Sequence, residues 1–142
     1  MKYNIDFEIL EETDILGKGG ISDLYKGNLL DPALIHLHGY RSVAVKMNRN
    51  VKHLSRESFR YEIVILSSFK RCPYLVDFIG YCESPVSCFV MKRYDITLNS
   101  LLFETNTELS NLASLQIALD ISCGMSIVHS NDIVHLDLKP ST

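Results

Sequence analysis

The stretch that decides the fold reads Leu16-Gly17-Lys18-Gly19-Gly20-Ile21-Ser22-Asp23-Leu24-Tyr25-Lys26-Gly27 and resumes, after a polar and irregular interval, as Val43-Ala44-Val45-Lys46. The glycines at 17, 19 and 20 have no Cβ, so the backbone can take positive φ and come close to a ligand. Strand-forming residues flank them: Ile15-Leu16 before, Leu24-Tyr25 after, then the alternating Val43 and Val45. A glycine hairpin between two strands, followed by a strand ending in lysine, can cover a phosphate chain and meet its charge. The plain alternative is a surface hairpin with a solvated lysine.

Two other phosphate-binding loops fit less well. A dinucleotide-binding turn runs from strand into helix, and Leu24-Tyr25-Lys26-Gly27 does not start a helix; the place of a third glycine is taken by Ser22. A Walker loop needs Gly-Lys-Ser/Thr, and Gly17-Lys18 is followed by Gly19.

Working outward, Ile5, Phe7 and Ile9 alternate with acids and read as a lead-in to a first strand that reaches Ile15. Between Asn28 and Tyr40, Asp31-Pro32 signals a turn and Gly39 closes the segment. Ile35-His36-Leu37-His38 alternates and reads as strand or loop; His-x-His can supply two metal ligands, but the sequence nearby offers no third. The spacing of Phe59, Ile63 and Leu66, widened by Ile65 and Phe69, predicts a helix over 55–69 with Ser55 as N-cap. Glu62 borders that apolar stripe and should face inward, where a carboxylate needs a cation; Lys46 is the candidate. Cys72-Pro73 stops the helix, and 74–82 and 87–91 read as two strands joined by Glu83-Ser84-Pro85. A short helix over 97–103 and a long apolar one over 110–130 follow, the latter ended by Asn131-Asp132 and expected to be buried on several sides.

Composition bounds the function. The chain has 142 residues, 46% of them hydrophobic and 22% charged, which suits one globular domain. A net charge of −3 implies no nucleic-acid partner. Cys72, Cys82, Cys88 and Cys123 form no Cys-x-x-Cys pair and read as reduced thiols of an intracellular protein. No uninterrupted apolar run reaches the roughly 18 residues of a membrane span. Met1 to Asp6 is too polar for a signal peptide, and Lys2 occupies the place where myristoylation needs glycine. The expected location is the cytoplasm.

The last residues carry the second motif: His135-Leu136-Asp137-Leu138-Lys139-Pro140-Ser141-Thr142. It resembles the catalytic loop of eukaryotic protein kinases, His-Arg-Asp-Leu-Lys-Pro-x-Asn, just as the opening stretch resembles their Gly-rich loop and third-strand lysine. Pro73 to Cys82 is similar to the tyrosine-kinase-like group, and Lys139 is the serine/threonine-type feature. The resemblance implies an α+β fold. Its small lobe, a mostly antiparallel sheet plus the helix at 55–69, spans about 7–91; the hinge is 92–94 and the start of the helical lobe 95–142. It further implies binding of ATP with Mg²⁺ and phosphoryl transfer to protein Ser/Thr or Tyr. The segment Leu16, Gly17, Lys18, Gly19, Gly20, Ile21, Ser22, Asp23, Leu24 would cover the phosphates. Leu24 and Ala44 would line the adenine, with Met91 as gatekeeper and the backbone around Arg93 as hinge. Lys46, held by Glu62, would meet the α- and β-phosphates. Asp137 would be the base, Lys139 would sit near the transferred phosphoryl, and Thr142 would be a weakened Mg²⁺ ligand where the family has asparagine.

Leu136 stands in place of the family's arginine, so control by activation-loop phosphorylation is not expected. No Asp-Phe-Gly segment occurs within the 142 residues, so this stretch alone is expected to be a poor kinase or none. The alternatives are a non-catalytic, pseudokinase-like module that engages a full kinase or scaffold, and a mis-bounded gene product.

Overall fold

Val43, Ala44 and Val45 are all buried, although neighbouring residues of a strand point to opposite faces. A strand can be apolar on both sides only if both sides are covered, and the architecture supplies this. The computed structural model describes residues 5, 10–18, 22–48, 56–69, 72–84 and 86–141. The strands are β1 (Leu10–Lys18), β2 (Ser22–Leu29), β3 (Ser42–Asn48), β4 (Phe78–Cys82) and β5 (Cys88–Lys92). They form one five-stranded sheet in the order β1-β2-β3-β5-β4, with every neighbouring pair antiparallel. β3 lies in the middle.

The register sorts side chains onto two faces. On one face, Val43, Val45, Cys88 and Val90 join Leu29, Ile79 and Cys82 in a core cluster. Leu34, Ile35 and Tyr40 pack against that cluster, and so does Ile5, whose N–H donates to the Tyr81 carbonyl at 2.7 Å. Ile5 therefore lies against β4 and is not part of β1; Phe7 and Ile9 fall outside the described residues. The other face carries Phe78 and Phe89, which with Phe59 form a second cluster flanked by Ile63, Leu66, Tyr81 and Met91.

The segment expected to be strand or loop around His36 is a helix, α1 (Pro32–His38). Its signals were local. The Asp31 side chain accepts from the Ala33 N–H, Pro32 opens the first turn, and Gly39 closes the last at φ 78°. Two apolar positions at period 2 are too few to outweigh caps at both ends. On a helix, His36 and His38 point to different sides, so the His-x-His pair is not a ligand pair. Among the described residues, no three His, Cys, Asp or Glu side chains gather as a metal cluster.

α2 runs Arg56–Ser68, within the expected 55–69; Ser55 lies outside the described residues. β4 begins at Phe78 rather than 74, because Pro73 to Asp77 turns before the chain can join the ladder. The chain divides into two compact units, Met1–Arg93 and Tyr94–Thr142. The second contains α3 (Leu98–Phe103), capped by the Thr97 side chain, and α4 (Asn111–His129), capped by Ser110. Only Gly124 and Val128 of α4 are buried, while Leu112, Leu115 and Leu119 are exposed, so the expected burial on several sides is not met within these residues. The expectation of no membrane span rested on uninterrupted apolar runs. α4, at 19 residues, is long and apolar enough to cross a membrane by length and composition, as the core helices of soluble proteins also are.

Candidate functional site

β3 presents Ala44 and Lys46 to the face that α2 covers. Leu24 of β2 stands directly opposite Lys46, and Met91 of β5 directly opposite Ala44. Phe89 is the partner of Lys46 on the other side. Leu24, Ala44, Lys46, Met91 and Phe89 thus share one face of three adjacent strands.

α2 is seated there by its apolar stripe. Phe59 stacks on Phe89 with ring centroids 4.6 Å apart and meets Tyr81 edge-on at 6.2 Å. With Phe59 anchored, Glu62 lies one turn further along the same side. Its Oε1 accepts from the Lys46 Nζ at 2.8 Å. The ammonium is also 5.6 Å from the Phe89 ring centroid, within cation–π range. The side chains of Lys46 and Glu62 are 35% and 37% exposed, so the pair adds little stability, about 1 kcal/mol at most. Its effect is to fix where the ammonium points.

β1 and β2 close toward their hairpin through Gly17↔Leu24 and Lys18↔Asp23, with register shifts on either side of Ile15. A Cβ on Gly17 would meet no heavy atom within 4 Å, so the backbone there is open to close approach. Leu16 and Lys18 are exposed, and Ser22 and Asp23 half-exposed. The hairpin tip, Gly19, Gly20 and Ile21, lies outside the described residues. Met91 is half-buried against the Phe59–Phe78–Phe89 cluster, and Arg93 follows β5 directly.

In the second unit, the segment after α4 holds the other charged group. The Asp137 N–H donates to the His135 carbonyl at 2.9 Å, closing a tight turn around Leu136. Leu136 sits at φ 62°, a sparsely populated conformation for leucine, with its side chain 91% exposed. The Asn99 N–H donates to the Pro140 carbonyl at 2.9 Å and ties the segment to α3. The Lys139 Nζ donates to Asp137 Oδ2 at 2.8 Å. That hydrogen bond, and then the lysine charge, hold the Asp137 carboxyl below its ordinary value. Thr142 lies outside the described residues.

A strand lysine braced by a helix glutamate beneath a glycine hairpin is an arrangement that sequence comparison can place. The family model for protein tyrosine and serine/threonine kinases matches residues 10–140. The chain belongs to this kinase family. It is 31% identical, over 96% of its length, to a putative serine/threonine-protein kinase/receptor of Acanthamoeba polyphaga mimivirus, of which it covers 8%. It is 32% identical over 85% of its length to a serine/threonine/tyrosine-protein kinase of Arabidopsis thaliana, covering 31% of that protein. A dual specificity protein kinase of Dictyostelium discoideum, shkD, is 34% identical over 93% of the chain and 17% covered. The chain therefore spans a third or less of the length of these relatives. The five-stranded sheet with α2 is a kinase-type small lobe, and α3 and α4 are part of a helical lobe.

In this kinase chain, Lys46 meets Glu62 in one unit and Asp137 meets Lys139 in the other. Phe59 was read from the sequence as part of the helix stripe, but Phe89, on which it stacks, was not singled out. Phe89 faces Lys46 only because of the β3–β5 register, which no local pattern announces. Period-2 reading from Met91 would have placed Phe89 on the same side of β5.

Proposed function

We propose that this kinase domain binds ATP and belongs to a protein kinase of serine/threonine type. The observation that carries the reading is the Lys46–Glu62 pair on the sheet face that also bears Leu24, Ala44 and Met91. Lys46 offers a fixed ammonium to the α- and β-phosphates, and Leu24 and Ala44 offer apolar contact to the base. The open backbone at Gly17 suits a hairpin that closes over phosphates. Asp137, held ionised by Lys139, accepts and orients the proton of an attacking hydroxyl. In this reading Lys139, paired with Asp137 at 2.8 Å, shifts its charge to the transferred group. Mg²⁺, when bound, neutralises charge on that group. Thr142, the ligand that the resemblance implies, lies outside the described residues, and among the described residues no three His, Cys, Asp or Glu side chains gather to hold the ion.

The exposed apolar face of α4 favours a second reading, a non-catalytic module that binds a partner kinase or scaffold. Two measurements separate them. ATP should raise the melting temperature of the wild type, and Lys46→Ala should abolish the rise; no shift with ATP, with or without Mg²⁺, refutes nucleotide binding. Transfer of labelled phosphate should be lost in Asp137→Asn. Equal transfer in both proteins, with ATP binding intact, leaves the binding module as the reading.

A further inference from the structure

We propose that Tyr40, delivered by α1, positions the backbone at the exit of β5 through Asp77 and thereby sets the choice of nucleotide base. This rests on the reading of residues 92–94 as the base-contacting segment. The last Cα pair of the β4–β5 ladder is Phe78↔Met91, and one further rung follows, from the Lys92 N–H to the Asp77 carbonyl at 2.9 Å. Asp77 lies outside β4, after a stretch of turns, and this rung ties only its main chain. Its side chain is held as well. The Tyr40 hydroxyl donates to Asp77 Oδ2 at 2.7 Å, a charge-assisted bond, and His38 Nδ1 lies 3.6 Å from the same oxygen.

Both side chains are themselves held. The His38 side chain is 8% exposed and its ring centroid is 5.8 Å from that of Tyr40. Tyr40 packs on the core cluster of its face. The Lys92 Nζ sits 5.6 Å from the Tyr40 ring centroid. Lys92 is thus tied twice to the same cluster, by its main chain through Asp77 and by its side chain over Tyr40. The direction of the backbone into Arg93 is inherited from it.

That direction matters because adenine and guanine present opposite groups at one edge: an amino donor where guanine has a carbonyl acceptor. A backbone donor and acceptor held in one place select between them; a loosened backbone does not. Contacts of Lys46 with phosphates are common to both nucleotides and should be indifferent to Tyr40.

The test compares dissociation constants of the whole chain for ATP and GTP, each with Mg²⁺, alongside melting temperatures. Tyr40→Phe keeps the ring and removes the O–H; it should weaken ATP about three- to tenfold and leave GTP nearly unchanged. Asp77→Asn keeps an acceptor oxygen for Tyr40 and should retain the wild-type preference, whereas Asp77→Ala should lose it. An unchanged ATP-to-GTP ratio in Tyr40→Phe overturns the proposal while nucleotide binding stands. Equal weakening of both nucleotides, in step with the melting temperature, shows a purely structural Tyr40 and also overturns it. A wild type that binds neither nucleotide removes the underlying reading together with the proposal.

Discussion

Glu62→Gln should separate what holds the small lobe together from what aims Lys46. The pair it neutralises is short, 2.8 Å, but both side chains are more than a third exposed. Solvent screening then limits the stability loss to about 1 kcal/mol, or roughly 4–8 °C in a unit of this size. Phe59→Ala is the control. It removes a buried ring stacked at 4.6 Å on Phe89, and should cost about 3–5 kcal/mol. That lowers the melting temperature by about 12 °C or more. The loss of the ATP-dependent shift is ordered the other way, larger in Glu62→Gln than in Phe59→Ala. At a concentration 100 times the wild-type dissociation constant, binding contributes about 2.7 kcal/mol of stabilisation. In Glu62→Gln the amide oxygen is a neutral, weaker acceptor that no longer fixes the ammonium, and a tenfold loss of affinity leaves about 1.4 kcal/mol. Differential scanning fluorimetry across an ATP titration gives both quantities. If Glu62→Gln destabilises as much as Phe59→Ala, or keeps the full ATP shift, the pair does not act as argued.

Other outcomes follow from single residues. Gly17→Ala should melt as the wild type does, since its Cβ meets nothing within 4 Å, yet show a reduced ATP shift; a lower melting temperature without ATP contradicts the open backbone. Gly39→Ala, at φ 78°, should cost about 1 kcal/mol by thermal melting, and Gly39→Asn less, because asparagine tolerates the left-handed cap. The Asp137 carboxyl, with its value depressed by its hydrogen bond to Lys139 and by the lysine charge, should protonate at a lower pH than an ordinary aspartate. Whatever that contact contributes is present above the unfolded value and lost as pH falls through the folded one. Lys139→Met should raise the Asp137 midpoint in a carboxyl NMR titration; an unmoved midpoint assigns the depression to something else.

Much of this was legible in the order of residues. The glycine hairpin, the strand ending in Lys46, the stripe of α2 and the Asp137–Lys139 spacing are local patterns, and local patterns are set by backbone geometry and by side-chain period. The position of Glu62 beside an apolar stripe was enough to ask for a cation and to name Lys46. The caps of α1 were equally local, in Asp31, Pro32 and Gly39, but were outweighed in the reading by an alternation only four residues long. The partners across the sheet were not legible. That Phe89 lies under the Lys46 ammonium depends on the β3–β5 register, and that Tyr40 reaches Asp77, 37 residues away, depends on the segment after α1 meeting the one before β4. The sequence by itself determined the elements, the family and the charged residues, because each is written in a short window. The tertiary structure alone decided which side chain each charge meets, because register and helix placement are set by burial of Phe59, Phe78 and Phe89 together, a condition no short window contains.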